Sequence, residues 1–409
     1  MKITKLSLVA IAAMTLTTGA MAEVTTELSG SAKLYYETID ADGADKGLFE
    51  QYAHSVPDAD GKTAAMTTGQ ALVSVEAKGK AGVLGYGLKY TAIDTLGLEN
   101  NLVSGVRVKN SGPDALSTVN WAEKAFITYK MGNTLAKIGR QHLDTPLAFT
   151  EKWNIAQNSF DAAVLINSDI ENVTLIGAYV GRGNGQFGSV VADGGNFDTY
   201  VADGAYAAGV LAKPMKDLGV NAWYYDVQDV ADALWLDANY AVNGVKLGAI
   251  YAQMMPKASG AADTKGFALK AGSKVGPVSL FAAYSSIDDD KKATLPIANT
   301  ATGFKKTKLP TAGIYNDGVI VAHPGSNAFK VKAGMPVGSV KLTAQYISCS
   351  NDINEAKDAD EFDFIVGTKI ADINLKAIYM NRTFKNSAKS GHFKNSDHQN
   401  VRVIAGINF

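Results

Sequence analysis

Five histidines and one cysteine are the side chains best suited to covalent or metal chemistry, and none has the company that chemistry needs. His54, His142, His323, His392 and His398 stand apart, with no HExxH, GxSxG or paired cysteine spacing around them. Cys349 is alone and cannot form a disulfide framework. GRGNGQFG, from Gly181 to Gly188, imitates a phosphate-cradling loop, but no helical pattern follows it and the cradle depends on a helix N-terminus. The acidic runs DDD at 288–290 and NDINEAKDADE from Asn351 to Glu361 lack the glycine and ligand spacing of a calcium loop. They could collect an adventitious divalent cation such as calcium. No resident cofactor or metal is expected, and the chain does not read as an enzyme.

What remains is charge at alternate positions. Lys89, Lys124, Lys137, Lys246, Lys270, Lys332, Lys341, Lys376 and Arg402 fall on the polar parity of alternating segments, as do Lys33, Lys78, Lys130 and Lys330. Glu76, Asp237 and Asp363 share that parity, with Glu37 and Asp161. A wall lined this way filters solutes by charge without any bond being made or broken. The excess of cations would favour anions, subject to the charges of the loops. Over the whole chain 39 basic residues nearly cancel 40 acidic ones, so there is no polybasic footprint for nucleic acid.

The elements that must hold such a wall are strands. LSGSAKLYYE sets Leu28, Gly30, Ala32, Leu34 and Tyr36 against Ser29, Ser31, Lys33 and Glu37. ALVSVEAKG, LWLDANYAV, VKLGAIYAQ, VKLTAQY and INLKAIYM repeat the habit, which is the period of a half-buried strand. Eighteen such segments are expected, beginning near 27, 68, 82, 120, 134, 160, 172, 204 and 219, then near 231, 245, 264, 278, 327, 339, 361, 373 and 399. Most have about nine to eleven residues, the length with which a tilted strand crosses a bilayer.

Connections alternate in length. Tight turns are expected at Gly79–Ala81, Gly132-Asn133, Asp169–Glu171, Pro214–Leu218, Asn243-Gly244, Gly276-Pro277, Pro336–Gly338 and Ala371-Asp372. Long polar insertions fall between them at 39–66, 93–119, 143–159, 182–203, 288–326 and 383–398. Tight turns at one end and long loops at the other describe a transmembrane barrel. Tyr36, Tyr90, Tyr179, Tyr224, Tyr251, Tyr284, Tyr346 and Tyr379 all fall near the long-loop ends of alternate strands, in phase with the apolar face, as an interfacial aromatic girdle would. The expected fold is therefore all-β: a closed antiparallel barrel of 18 strands, with 16 as the alternative count.

The first residues, MKITKLSLVAIAAMTLTTGAMA, read as a secretory signal over 1–22, leaving a single barrel domain over 23–409. The last, VRVIAGINF, form a strand with one apolar face that must pair with the first strand to close the sheet. Phe409 then sits at the periplasmic interface and serves as the signal for the barrel-assembly machinery.

One connection is unusual. GRQHLDTPLAFTEKWNIAQNSFDAAV carries Leu143, Leu147, Phe149, Trp153 and Ile155, too apolar for a surface loop. Folding 143–159 into the lumen would bury them and narrow the channel. The stretch GRQxLDTPLAF, then NSF, then AYVGRGNG resembles the major outer-membrane porins of the Campylobacter and Arcobacter type, more distantly akin to the substrate-specific porins of pseudomonads. The resemblance implies an eighteen-stranded homotrimer in the bacterial outer membrane, in contact with lipids and lipopolysaccharide. It also implies an inward third loop and an eyelet built from Arg140, Asp144, Glu151 and Lys152. Arg140 departs from this pattern, because it falls in the lipid-facing phase; a bulge or a subunit contact would reconcile the two. Passive diffusion of ions and small hydrophilic solutes, with weak charge selectivity, is the expected activity. The rivals are a barrel enzyme of the phospholipase or protease kind, needing Ser and His on lipid-facing rim positions, and a secreted β-solenoid adhesin, needing a fixed repeat.

Overall fold

Alternating segments with one apolar face cannot leave their edges open in hydrocarbon, and here the sheet closes on itself. The computed structural model describes residues 24–41, 47–49, 66–97, 119–185, 195–385 and 397–409. The strands are β1 (Val24–Ala41), β2 (Met66–Ala81), β3 (Leu84–Asp94), β4 (Val119–Met131), β5 (Thr134–Gln141), β6 (Phe160–Asn167) and β7 (Val173–Gly183). Next come β8 (Asp198–Thr199), β9 (Ala205–Met215), β10 (Leu218–Val227), β11 (Ala231–Val242), β12 (Val245–Pro256) and β13 (Thr264–Val275). The last are β14 (Val278–Ile287), β15 (Ser326–Val337), β16 (Val340–Asn351), β17 (Ala359–Ile370), β18 (Ile373–Phe384) and β19 (His398–Asn408). Eighteen of them are antiparallel staves in chain order; β8 is an extra two-residue strand on the end of β7.

The seam is β1 against β19, in register from Ser31↔Asn408 to Ala41↔His398. Gly30 N–H donates to the Phe409 carbonyl at 2.6 Å, and Phe409 N–H donates back at 3.0 Å. The Phe409 ring lies over Gly30, where any Cβ would collide with it, and is 66% exposed on the outer face. Removing Phe409 should therefore lower the yield of inserted barrels several-fold while leaving the conductance of inserted copies unchanged. Membrane-fractionated yield beside single-channel current measures both, and equal yield would refute the assembly role.

Faces follow the alternation. Leu34, Val73, Ile127, Leu165, Val210, Leu236, Leu269, Val331 and Phe364 are exposed on the outer wall. Tyr90, Tyr179, Tyr224, Tyr251, Tyr284 and Tyr346 join them near the long-loop end, with Tyr36 and Tyr379 half-buried beside them.

Two bulges re-aim side chains. At β3–β4, Lys89 pairs with Lys124 and Tyr90 with Ala122, so Glu123 is the extra residue and turns inward next to Lys124. At β6–β7, Asp161 pairs with Arg182 and Ala162 with Val180, so Gly181 is the extra residue. The expected turn at Gly79–Ala81 is corrected: β2 runs on through Ala81 and turns at Gly82, whose φ of +61° needs glycine. Gly79 is there for packing, because a Cβ would meet the Tyr86 ring and the Thr25 carbonyl. The connection 143–159 is described throughout, as is 288–325, whereas the signal segment 1–22, most of 39–66, 93–119 and 383–398, and residues 186–194 of 182–203 lie outside the described residues.

Candidate functional site

The 143–159 loop enters the lumen. Thr145 opens a tight turn in which its Oγ1 donates to the Ala148 carbonyl at 2.7 Å, and Pro146 supplies the fixed φ that such a turn favours. Leu147 at the tip is fully buried among Trp223, Tyr225, Trp235, Met254 and Ile287 on the inner wall of β10–β14. Its N–H donates to Tyr225 Oη at 3.2 Å. Further along, Ile155 and Ala156 pack on Tyr35, Leu72, Ile93 and Trp121 across β1–β4. One short segment thus touches two sides of the barrel, and the apolar residues that would be adhesive in water are the anchors.

A second loop, 288–325, comes in from β14–β15 and welds to the first. Asn299 is the central residue: its Oδ1 accepts from Phe149 N–H at 3.2 Å, and its Nδ2 donates to the Phe149 carbonyl at 2.8 Å and to Glu151 Oε1 at 3.3 Å. Thr300 donates to the Leu147 carbonyl through its N–H (2.8 Å) and its hydroxyl (2.9 Å). Lys308 Nζ reaches Asp144 Oδ1 at 2.7 Å. Within this loop burial pushes the Asp317 carboxyl up to about 6, with Lys306 at 2.7 Å pulling the other way.

The far end of the second loop is clamped to the wall. Glu361 on β17 accepts backbone N–H bonds from Ile314 (2.5 Å), Tyr315 (3.0 Å) and Asn316. A carboxylate held by three successive N–H groups is a strong, oriented anchor. Tyr315 Oη donates to Glu37 Oε1 at 3.1 Å, and Arg402 donates to that oxygen at 2.8 Å through Nε and to Tyr315 Oη at 2.9 Å through Nη2. Lys330 Nζ donates to the Ala312 carbonyl at 2.6 Å.

Lumen charges are sorted by height. In the long-loop half, Glu37, Glu123, Glu361 and Asp363 are buried and engaged by wall and loop donors. Glu123 takes Lys89 Nζ at 2.7 Å and lies 3.1 Å from His142 Nε2. In the middle and short-turn half, Lys33, Lys137, Lys246, Lys270, Lys332, Lys341 and Lys376 face the lumen with no carboxylate partner among the described residues. Lys78 and Lys124 both reach Glu76 at 3.1 Å. Asp237 accepts from Asn221, Trp235 and Asn239.

Of the expected eyelet, Asp144 and Lys152 are exposed on the inward loop. Glu151 is corrected: only 7% exposed, it accepts from Trp153 Nε1 (2.6 Å), Asn299 and Thr302, so it fastens the loops together and faces no solute. Arg140 is corrected too. It pairs with Ala125 beside outward-facing Ile138 and binds Asp161 on the outer wall, so it is no part of the lumen, and Asp161 is likewise outward. Arg402 and Asp363 do face inward but are buried, Arg402 against Tyr315 and Asp363 against Gln345. Sequence reading gave no inward role to Glu123, Glu361, Asn299 or Tyr315, because the 288–325 insertion read as polar and carried no signal of burial.

Two grooves, of about 630 and 560 Å³, lie on the outer wall among Ala238, Ala249, Ala271, Ala282 and Ala333.

No family model matches the chain, and no curated protein matches it. Solved structures do. OccK9 (OpdG) of Pseudomonas aeruginosa superposes with a TM-score of 0.74 at 16% identity, covering 94% of this chain and 98% of that one. OccK3 (OpdO) of the same organism gives 0.69 at 12%, covering 94% and 95%. OccAB4 of Acinetobacter baumannii gives 0.69 at 12%, covering 95% and 99%. This chain has the fold of the Occ porin barrels. Those neighbours are channels rather than enzymes. The specific likeness to the Campylobacter and Arcobacter porins has no counterpart among these matches.

Proposed function

We propose that this chain is an outer-membrane porin through which small hydrophilic solutes and ions diffuse passively. The observation that carries the reading is a closed barrel, apolar outside and charged inside, whose lumen is narrowed by two loops welded to each other and to the wall. Such a constriction sets a size limit, and lumen lysines that no carboxylate engages among the described residues give a weak preference for anions. The proposed route is export behind the cleaved segment 1–22, insertion through the barrel-assembly machinery, and residence as a homotrimer among outer-membrane lipids and lipopolysaccharide. A barrel enzyme is disfavoured: His398 is buried in the lumen against Tyr315, His142 lies beside Glu123, and His323 belongs to the second loop.

Purified protein in planar bilayers should give stepwise ohmic currents, with a reversal potential in a salt gradient displaced modestly toward anions. A preparation that stays soluble without detergent and carries no current would overturn the reading.

A further inference from the structure

We infer that Arg140 and Arg182, gathered on Asp161 at the outer rim of β5–β7, form a binding site for a phosphate-bearing lipid headgroup. This rests on the porin reading for the membrane that surrounds the barrel. Arg140 holds Asp161 with two bonds, Nε to Oδ1 at 2.9 Å and Nη2 to Oδ2 at 3.3 Å, and donates from Nη1 to the Ala122 carbonyl at 3.1 Å. Its guanidinium stacks on the Phe197 ring, 3.4 Å from the centroid. Arg182 Nη2 reaches the same Oδ2 at 2.7 Å, and the Arg182 side chain stays 56% exposed.

Two guanidinium groups on one carboxylate leave a positive charge on the face that meets lipid. Charge in that position is costly within the hydrocarbon and tolerated at headgroup level. The height agrees. The Tyr179 and Tyr206 rings pack outside the barrel, centroids 5.2 Å apart and planes tilted by 50°, where interfacial aromatics belong. Arg182 lies three residues farther toward the long-loop end than Tyr179, about 10 Å at strand spacing.

The aim of Arg182 is a product of the chain's own geometry. Without the extra residue at Gly181, Arg182 would share the inward parity of Val180 and point into the lumen. The bulge turns it out to meet Asp161, while Arg140 fixes that carboxylate from the other strand. What remains open is a planar donor suited to bidentate binding of a phosphate oxygen pair. A second copy of the chain is the rival occupant, to which exposed Ile138 and Leu165 on the same strands would contribute. The net positive charge of the cluster itself argues for an anion.

The test uses the full mature protein in detergent, with bis-phosphorylated lipid A, dephosphorylated lipid A and inorganic phosphate as separate probes, read by native mass spectrometry and by thermal unfolding. Wild type should retain bis-phosphorylated lipid A preferentially. Arg182→Ala should weaken that retention about fivefold, the effect of one surface cation near anionic headgroups, and Arg182→Lys should restore part of it. Equal retention of the dephosphorylated lipid by wild type would overturn the inference even if the variant fails to assemble. So would stabilisation by inorganic phosphate equal to that by lipid A, or an Arg182→Ala protein that dissociates into single copies with lipid retention intact. Conductance in bilayers without lipid A should be the same for wild type and variant. Lipid binding without conductance would sink the porin reading alone, and conductance without phosphate-dependent lipid binding would sink this site alone.

Discussion

Replacing residues 291–322 with a short glycine-serine turn should raise single-channel conductance several-fold. That segment carries Asn299, Thr300, Lys308 and Tyr315, through which the second loop grips the first and spans to β17, β1 and β19. Its removal leaves Glu361 and Glu37 without loop donors, but water entering the widened lumen can take their place, so the barrel itself should still assemble. The first loop keeps its Leu147 anchor and the Tyr225 hydrogen bond, so conductance should rise without reaching that of an empty barrel. A milder variant separates anchoring from obstruction. Asn299→Ala strands the Phe149 N–H and carbonyl and removes one donor to buried Glu151, at about 1–3 kcal/mol for each group left unsatisfied. Its channels should flicker between levels while the melting of the barrel stays nearly unchanged. If loop excision left conductance and size limit untouched, the second loop would have no part in the constriction.

Reversing three lumen lysines that no carboxylate engages among the described residues, Lys33→Glu, Lys137→Glu and Lys376→Glu together, should convert a weak anion preference into a cation preference. The three lie on β1, β5 and β18, on the lumen face, and none is engaged by a carboxylate among the described residues, so reversal breaks no ion pair there. The lysines at 89 and 124 are poorer targets, since Glu123 and Glu76 hold them. The change should be read as the sign of the reversal potential in a gradient near 0.1 M salt, where fields extend about 10 Å, and should shrink toward 1 M, where they extend about 3 Å. A reversal potential that kept its sign at low salt would show that charges elsewhere set the selectivity.

Legibility varied with the physical origin of each feature. Strand positions were readable because side chains on a pleated backbone alternate, so TLAKIGRQ and VKLGAIYAQ announce their faces locally. Arg140 is instructive: its own parity put it outside the lumen, and the structure agrees, while the resemblance carried it to the eyelet. Asp161 misled in the opposite way. In FDAAVLIN both parities are apolar apart from Asp161 and the terminal Asn167, so alternation carried little information and a lone carboxylate was assigned to the water side. Glu123 escaped notice because a bulge advances the phase by one residue, and nothing in VNWAEKAF marks where the extra residue falls.

The loops show the other limit. The Leu147 turn could be suspected of entering the lumen because its apolar residues had to be buried somewhere. Insertion 288–325, with fewer such residues in any one stretch, gave no comparable warning.

By itself, then, the sequence determined a closed barrel with eighteen staves as the preferred count, which face of most staves points outward, and that the last strand pairs with the first. All three depend on backbone periodicity and on the need to satisfy every edge in a membrane. Tertiary structure alone decided what fills the lumen: that Glu151 fastens two loops, that Glu361 clamps a loop tip, and that the bulge at Gly181 sends Arg182 outward. Those outcomes depend on partners such as Phe149 and Asn299, 150 residues apart, or Glu37 and Tyr315, 278 apart, and no local pattern records a contact over that separation.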